Sequence, residues 1–303
     1  LTSFFLLAII ISISIFFNKK EYQDGEVSLA IVPFRNISSD QTNNHYGMGM
    51  ASEIRTKLSL SKKFKYLSSL QATNAYSNSS KTPKEIGEEL NVDYLLMGMF
   101  QIAGDDIRVN IELLDAESGK SVEEIPQYQN KFTDIFQLQT EISNRVLGQF
   151  SFFNQKEKHQ TKHTPDFLAY GHYLKGNAIL TTGWSSIIFK NALEQFETAT
   201  QIDSNYISPW VGQIRAMTDL LWFYQSGDTL LQQKIATTME YIEAHFPESW
   251  EKDYAKGVYQ YHGLSNYEKG KQLLIKSLDQ NPENIKAHYT LAAIYKREMN
   301  TKE

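Results

Sequence analysis

The clearest alternation of hydrophobic and polar residues lies between Val92 and Gly119. In the second half of this stretch every other residue is apolar, at Ile107, Val109, Ile111 and Leu113. A period of two predicts a strand with one buried face, and the Gly-Asp pair within residues 103–106 predicts a hairpin turn. The first half, Val92 to Phe100, is almost wholly apolar. We therefore expect it to lie inside a sheet, with the second strand nearer an edge.

The neighbouring segments predict a small mixed α/β domain around this hairpin. Thr82, Pro83 and Glu85 form a helix-start pattern, with a capping residue, proline at the first helical position and glutamate at the third. Periodicity and turn residues predict the other elements: strands at 27–34, 64–68 and 121–132, and helices at 46–60 and 134–150.

Residues 1–17 carry no charge and consist largely of isoleucine, leucine and phenylalanine. They predict a transmembrane helix, truncated at its start, that precedes a polar linker at 18–26. A cleaved signal peptide is the alternative, but small residues at a cleavage site are missing. Lys19 and Lys20 taken alone favour a cytoplasmic location for the globular part of the chain.

Composition narrows the chemistry. The 303 residues suffice for about two domains, and the net charge of −5 with a pI near 5.9 gives no reason to expect nucleic-acid binding. The absence of cysteine excludes disulfides, cysteine metal ligands, a cysteine nucleophile and a lipidated cysteine. We found no nucleophile–base pair and no phosphate-binding glycine loop, so the sequence predicts no catalytic residue, cofactor or metal.

From Pro165 onward the apolar residues follow helical spacing only. The charged stretch 151–164 is the predicted linker to this region. Tyr254 and His288 are separated by 34 residues, as are Tyr261 and Tyr295, which indicates a helical repeat. Ala192, Phe196 and Ala199 resemble the second helix of a tetratricopeptide repeat. The resemblance implies that the small residues allow a close neighbouring helix while phenylalanine fills the gap.

Several segments in order carry a family resemblance: SLAIVPFRNISSD, YGMGMASEIRTKLS, KEIGEELNVDYLLMGMF, IAGDDIRVNIELLDAESGK and DIFQLQTEISNRV. Residues 27–150 thereby resemble the TolB amino-terminal-like domain, which implies an interaction domain without chemistry of its own. Residues 165–303 resemble tetratricopeptide repeats. The expected fold class is thus a transmembrane helix, a small mixed α/β domain and an all-α tetratricopeptide solenoid that is truncated at its end.

The repeat resemblance implies a binding groove lined by the first helix of each repeat. Alignment of the repeats puts cationic and aromatic residues there, at Arg215, Lys252, Tyr259, His262, Lys286, Tyr289 and Lys296. Such a groove suits an acidic peptide tail or a peptide carboxylate as partner. Solvated lysines and core tyrosines are the ordinary alternative explanation of the same pattern.

The resemblance also implies a function. Proteins of this kind are membrane-anchored bacterial signalling proteins, so we expect a sensory, protein-binding region at the inner membrane, with the globular part periplasmic. An output domain, either DNA-binding or a nucleotide cyclase, is expected upstream. Two alternatives remain: a stand-alone periplasmic scaffold for envelope assembly, and the non-catalytic part of an adenylate cyclase.

Overall fold

The computed structural model describes residues 27–61, 63–122, 125–150, 164–282 and 284–300. The chain forms two compact units. One is an α/β unit made from 27–38 and 50–150, and the other is a mainly helical unit made from 39–49 and 164–300.

The α/β unit contains a mixed sheet of six strands. These are β1 Val27–Ile31, β2 Arg35–Asn36, β3 Phe64–Leu67, β4 Tyr94–Ala103, β5 Asp106–Asp115 and β6 Tyr128–Lys131. The order is β3-β1-β4-β5-β6, and β2 pairs with β4 beside β1. Strand β1 is parallel to β3 and β4, whereas β5 is antiparallel to its two neighbours, β4 and β6.

The hairpin predicted from the sequence is confirmed. Ala103 pairs with Asp106, and Gly104 has a φ of 60°, which glycine adopts without steric strain in a two-residue loop. Strand β4 lies inside the sheet, and β5 lies one strand from the edge. The apolar first half and the alternating second half of this segment thus match their positions in the sheet.

Four helices accompany the sheet: α1 His45–Leu60, α2 Leu70–Asn74, α3 Pro83–Leu90 and α4 Ile135–Gln149. The predicted start of α3 is confirmed, because Thr82 and Glu85 form a reciprocal capping box. The last strand begins later than predicted, at Tyr128, although Ser121 forms an isolated bridge with Leu114. Strand β2 and helix α2 were not predicted, since both are too short to show a period.

The helical unit contains α5 Phe167–Thr181, α6 Ser186–Ile202, α7 Ile207–Phe223, α8 Thr229–His245, α9 Trp250–Val258, α10 Tyr267–Gln280 and α11 Ile285–Asn300. A π-helical turn, Tyr259–Gly263, directly follows α9. Side-chain caps start six of these helices, at Asp166, Ser185, Asp228, Ser249, Asn266 and Asn284.

Phe196 shows how the first helices pack. Its side chain is fully buried, and its ring lies where a Cβ atom would project from Gly176 on α5 and from Gly212 on α7, within 2.6 Å and 2.8 Å. Ala192 and Ala199 on the same helix are also fully buried. The prediction that small residues admit a central phenylalanine is therefore confirmed for this helix.

The predicted fold class needs correction. The structure supports a mixed α/β region followed by a helical bundle. It does not support the full predicted series of a transmembrane helix, an α/β domain and a tetratricopeptide solenoid. Within the part of the chain that the structure describes, no helix has the length and apolar character needed to cross a membrane. The membrane helix predicted at 1–17 lies outside the described residues, as does the linker at 18–26. The described helices therefore give the predicted inner-membrane location no support.

Candidate functional site

A group of polar side chains lies inside the helical unit, and we call it the polar cluster. It draws on α5, α7, α9 with its π-helical turn, and α11, and consists of Asn177, Arg215, Asp219, Tyr254, His262, Lys286 and Thr290. Arg215 and Asp219 are four residues apart, as are Lys286 and Thr290, so each pair occupies one face of its helix. Helical spacing thus directs charge from several helices toward the same place.

Lys286 connects the last helix of the unit to the first. Its Nζ donates a hydrogen bond of 2.8 Å to Oδ1 of Asn177, which is 109 residues earlier in the chain. Burial, and next the nearby Arg215 guanidinium, lower the pKa of Lys286 to about 7. Burial disfavours the charged ammonium, and so does a second cation. Lys286 is consequently a lysine whose charge changes near neutral pH.

Arg215 approaches the same point from α7. No hydrogen bond or ion pair joins its guanidinium to another residue in the described ranges. Its charge acts on Lys286 and on the buried Tyr254, which contacts Thr290 through a side-chain hydrogen bond. Burial raises the pKa of Tyr254 to about 12, so this phenol is neutral and cannot balance Arg215.

The polar cluster also contains a carboxylate beside an imidazole, Asp219 and His262. The Nδ1 atom of His262 lies 3.1 Å from Oδ1 of Asp219, but the contact lacks the alignment of a hydrogen bond. Both side chains are largely buried, with 12% and 7% of their surface exposed. His262 belongs to the π-helical turn, an irregularity that often occurs at functional sites.

Beside the polar cluster, Arg297 stacks on aromatic rings. Its guanidinium carbon lies 4.7 Å from the centre of the Trp222 ring, and its Nε donates to the Tyr261 hydroxyl at 3.0 Å. The Trp222 ring in turn lies 5.1 Å from the ring of His262. This cation–π arrangement fixes the side chains next to His262.

Of the seven residues predicted to line a groove, Arg215, His262 and Lys286 lie in the polar cluster. Lys252 has other partners: its Nζ donates to the carbonyl oxygens of Glu243 and Phe246 at 3.1 Å and 2.9 Å. It also lies 3.1 Å from a carboxylate oxygen of Glu248. Its side chain is only 5% exposed. Lys252 therefore secures the end of α8 and has no free donor directed at a ligand.

The other predicted residues are divided between interior and surface. Tyr259 is partly buried against the hydrophobic core of the helical unit, whereas Tyr289 is 59% exposed and Lys296 is exposed. No comparison with known proteins tests these seven residues as a partner-binding set, so that assignment stays a prediction.

Sequence reasoning missed several members of the site: Asn177, Asp219, Trp222, Tyr254, Thr290 and Arg297. Most are uncharged or common surface types, and their separation along the chain hides their proximity. One signal was available, because Arg215, Asp219 and Trp222 follow helical spacing around a continuous apolar run. A charged pair on the apolar face of a buried helix indicates a functional or structural role.

The chemistry of the cluster favours binding of an anion. The charge of Arg215 acts on Lys286, and the carboxylate of Asp219, on the same helix as Arg215, lies beside His262. Guanidinium and ammonium groups both donate to carboxylate and phosphate oxygens.

One relative of this chain is a bacterial protein. The putative adenylate cyclase 3 of Rhizobium meliloti (strain 1021) is 25% identical over 219 residues, which are 68% of this chain and 35% of that protein. The chain thus spans about a third of the length of the curated relative that it matches.

Solved structures show weaker likeness. TolB from Acinetobacter baumannii has a TM-score of 0.33 at 20% identity, over 44% of this chain and 30% of that one. Lipoprotein GNA1162 from Neisseria meningitidis has a TM-score of 0.31 at 17% identity, over 40% and 96%. TM-scores this low carry no functional inference.

A family model matches the α/β unit. Residues 25–145, less than half of the chain, match the model described as HilA/YgeH-like transcriptional regulator, second domain. This part of the chain is therefore similar to a domain of transcriptional regulators.

Proposed function

We propose that this chain is a non-catalytic, protein-binding region of a bacterial signalling protein, and that it controls an output domain. The observation that carries the proposal is the family match across residues 25–145, whose description is that of a domain within transcriptional regulators.

The helical unit supplies the binding surface in this proposal. Arg215 and Lys286 in the polar cluster, together with the exposed Lys296 on the same helix as Lys286, favour an acidic peptide or a peptide carboxylate as partner. Tyr289, also exposed on that helix, adds an aromatic contact. Lys252 is left out because its donors are already used within the fold.

The direct test uses the full-length protein in its own host. In one strain Arg215→Gln is combined with Lys286→Met, and in a second strain the exposed Lys190→Gln on α6 is the matched control. Transcript abundance and cyclic AMP are measured in both. We expect the double variant to change one of these outputs at equal protein level, whereas the control leaves both at the wild-type value.

Two further measurements keep the proposal falsifiable. Anisotropy of a labelled, glutamate-rich peptide measures partner binding, which Arg215→Gln, Lys286→Met and Lys296→Gln together should abolish. Removal of residues 27–300 measures whether the region regulates at all. If that deletion leaves transcripts and cyclic AMP unchanged, the regulatory proposal is wrong.

A second candidate function comes from the cyclase-named relative. In this version the region regulates an adenylate cyclase instead of a transcription factor. The same strains separate the two candidates, because cyclic AMP changes if the region regulates an adenylate cyclase. If the region regulates a transcription factor, transcript abundance changes while cyclic AMP stays constant.

A further inference from the structure

We propose that three exposed aromatic residues of the helical unit bind a short segment of a partner protein. The residues are Trp184, Phe223 and Tyr224, which we call the aromatic platform. The bound segment presents bulky apolar side chains to the rings and a carboxylate to the nearby Arg297. The inference rests on the proposed function in taking a protein as partner, and it adds a surface outside the polar cluster.

Two connections between helices form the aromatic platform. Trp184 lies between α5 and α6, and Phe223 and Tyr224 lie where α7 ends. The Trp184 and Phe223 rings are 5.4 Å apart, and the Tyr224 hydroxyl donates to the Trp184 carbonyl oxygen at 3.1 Å. The buried ring of Phe189 contacts both Trp184 and Tyr224, at 5.3 Å and 6.1 Å. These contacts hold the exposed rings in place in the free protein, so binding loses little side-chain entropy.

The aromatic platform is a continuous apolar surface. Trp184 is 57% exposed, Phe223 46% and Tyr224 45%. Ile187, three residues after Trp184, is 68% exposed. Single exposed apolar residues are common, but a patch of rings in mutual contact indicates an interaction site. Tryptophan and tyrosine are also the residues that contribute most to binding at protein interfaces.

The area of the aromatic platform limits the size of the partner. A residue of this kind offers about 150–250 Å², so the exposed fractions leave on the order of 300 Å² of ring surface accessible. A stable interface between two folded proteins, or between two copies of one chain, buries about 800 Å² on each partner. The smaller area favours a short peptide segment as the occupant.

Charge beside the aromatic platform favours a carboxylate on that segment. The Phe223 ring lies 6.1 Å from the ring of His262, and Trp222, on the other side of His262, stacks with Arg297. Arg297 is exposed, and its guanidinium forms no ion pair with another residue in the described ranges. The carboxylate beside His262, that of Asp219, is only 7% exposed. The terminal nitrogens of Arg297 can therefore pair with a carboxylate of the partner.

The test begins with selection of a random displayed peptide library on the whole chain, since chemistry defines the bound segment. Retained peptides are then counter-selected on the Trp184→Ser, Phe223→Ser variant. We expect the peptides that bind only the wild type to share bulky apolar residues and at least one aspartate or glutamate.

Titration of one selected peptide assigns its contacts. Trp184→Ser with Phe223→Ser should weaken binding more than about tenfold, because two anchor rings are lost. Arg297→Gln should weaken it about tenfold, since a charge-assisted hydrogen bond is lost. Leu168→Ser removes an exposed apolar side chain from α5, and this matched control should bind like the wild type.

The partner of Arg297 is identified by a double-mutant cycle. Replacing the acidic residue of the peptide by its amide should weaken binding to the wild type about tenfold and leave binding to Arg297→Gln unchanged. Trp184 supplies an independent signal, because the bound peptide should protect tryptophan fluorescence from acrylamide quenching. Trp184→Phe keeps a ring at this position and should lose most of that protection.

Other outcomes overturn the inference. The selection could yield no peptide that distinguishes the wild type from Trp184→Ser, Phe223→Ser, or the distinguishing peptides could lack an acidic residue. Binding to phosphatidylcholine–phosphatidylglycerol vesicles that this variant loses would assign the aromatic platform to a lipid surface. A dimer in sedimentation that the variant loses would assign it to a second copy.

These outcomes are separable from those of the proposed function. The selected peptides should still bind the Arg215→Gln, Lys286→Met, Lys296→Gln variant, because the aromatic platform lies outside the polar cluster. An altered output in the Arg215→Gln, Lys286→Met strain without any distinguishing peptide would refute only the aromatic platform. Peptide binding by a protein whose removal changes no output would refute only the regulatory role.

Discussion

The two units of this chain place their charges differently. In the α/β unit, the Lys81–Glu89 and Lys131–Asp106 ion pairs have side chains that are 43–61% exposed. In the helical unit, Asp253 is fully buried, Lys252 is 5% exposed, and desolvation lowers the pKa of the half-buried Lys286 to about 7. Surface pairs contribute little to stability, whereas buried charges require defined partners. Burial therefore separates the charged residues that hold the helical unit together from those that form only surface ion pairs.

The largest expected effect concerns Lys286 and the pH dependence of folding. Its pKa is about 7 in the folded protein against 10.5 in the unfolded chain, so above pH 7 the unfolded state binds more protons. Stability attributable to this group therefore rises with pH, by about 3 kcal/mol between pH 6 and pH 9. Urea unfolding at both pH values should show this gain in the wild type.

Lys286→Met has no group to deprotonate and should lack that gain. The other titratable groups are the same in both proteins, so their difference isolates Lys286. If the free energy of unfolding depends equally on pH in the wild type and in Lys286→Met, this side chain is solvated like the surface lysines of the α/β unit. The two units would then not differ at this residue.

The next effect compares two Lys–Asp pairs of equal length. Asp253 accepts from Lys276 at 2.8 Å and from Gln280 at 2.8 Å, whereas Asp106 accepts from Lys131 at 2.8 Å on the surface. Asp253→Asn should cost about 2 kcal/mol, because a buried charge-assisted bond is lost. Asp106→Asn should cost less than about 1 kcal/mol. Thermal unfolding of both variants measures the difference.

The substitution and the length of the bond to lysine are the same, and the two sites differ in burial and in the additional bond that Asp253 accepts from Gln280. Costs that agree within error would contradict burial as the distinguishing variable. If high salt removes the loss of stability in Asp106→Asn but not in Asp253→Asn, the contrast between the surface pair and the buried pair becomes stronger.

The smallest expected effect tests local order in the α/β unit. Thr82 accepts from the backbone of Glu85, and Glu85 accepts from the backbone of Thr82. Thr82→Ala should lower the free energy of unfolding by about 1 kcal/mol, since one cap is lost. Thr82→Ser keeps the hydroxyl and is the control. A loss of equal size in Thr82→Ser would assign the effect to packing instead of capping.

Local signals made the α/β unit predictable. The turn at Gly104, the cap at Thr82 and the alternation from Ile107 to Leu113 each involve neighbours in sequence, and each was confirmed. Strand β2 and helix α2 were missed because two and five residues are too few for a period. The transmembrane part of the predicted fold class has no support among the described residues.

The sequence by itself determined the α/β character of the first unit, the hairpin within its sheet and the presence of a helical region after it, because these depend on period and turn chemistry over a few residues. Only the tertiary structure decided which partners each lysine contacts within the fold. Lys252 and Lys286 look alike in sequence, yet one holds the end of α8 and the other meets Arg215 and Asn177. Burial and the proximity of residues 109 positions apart depend on packing between helices, which no local pattern records.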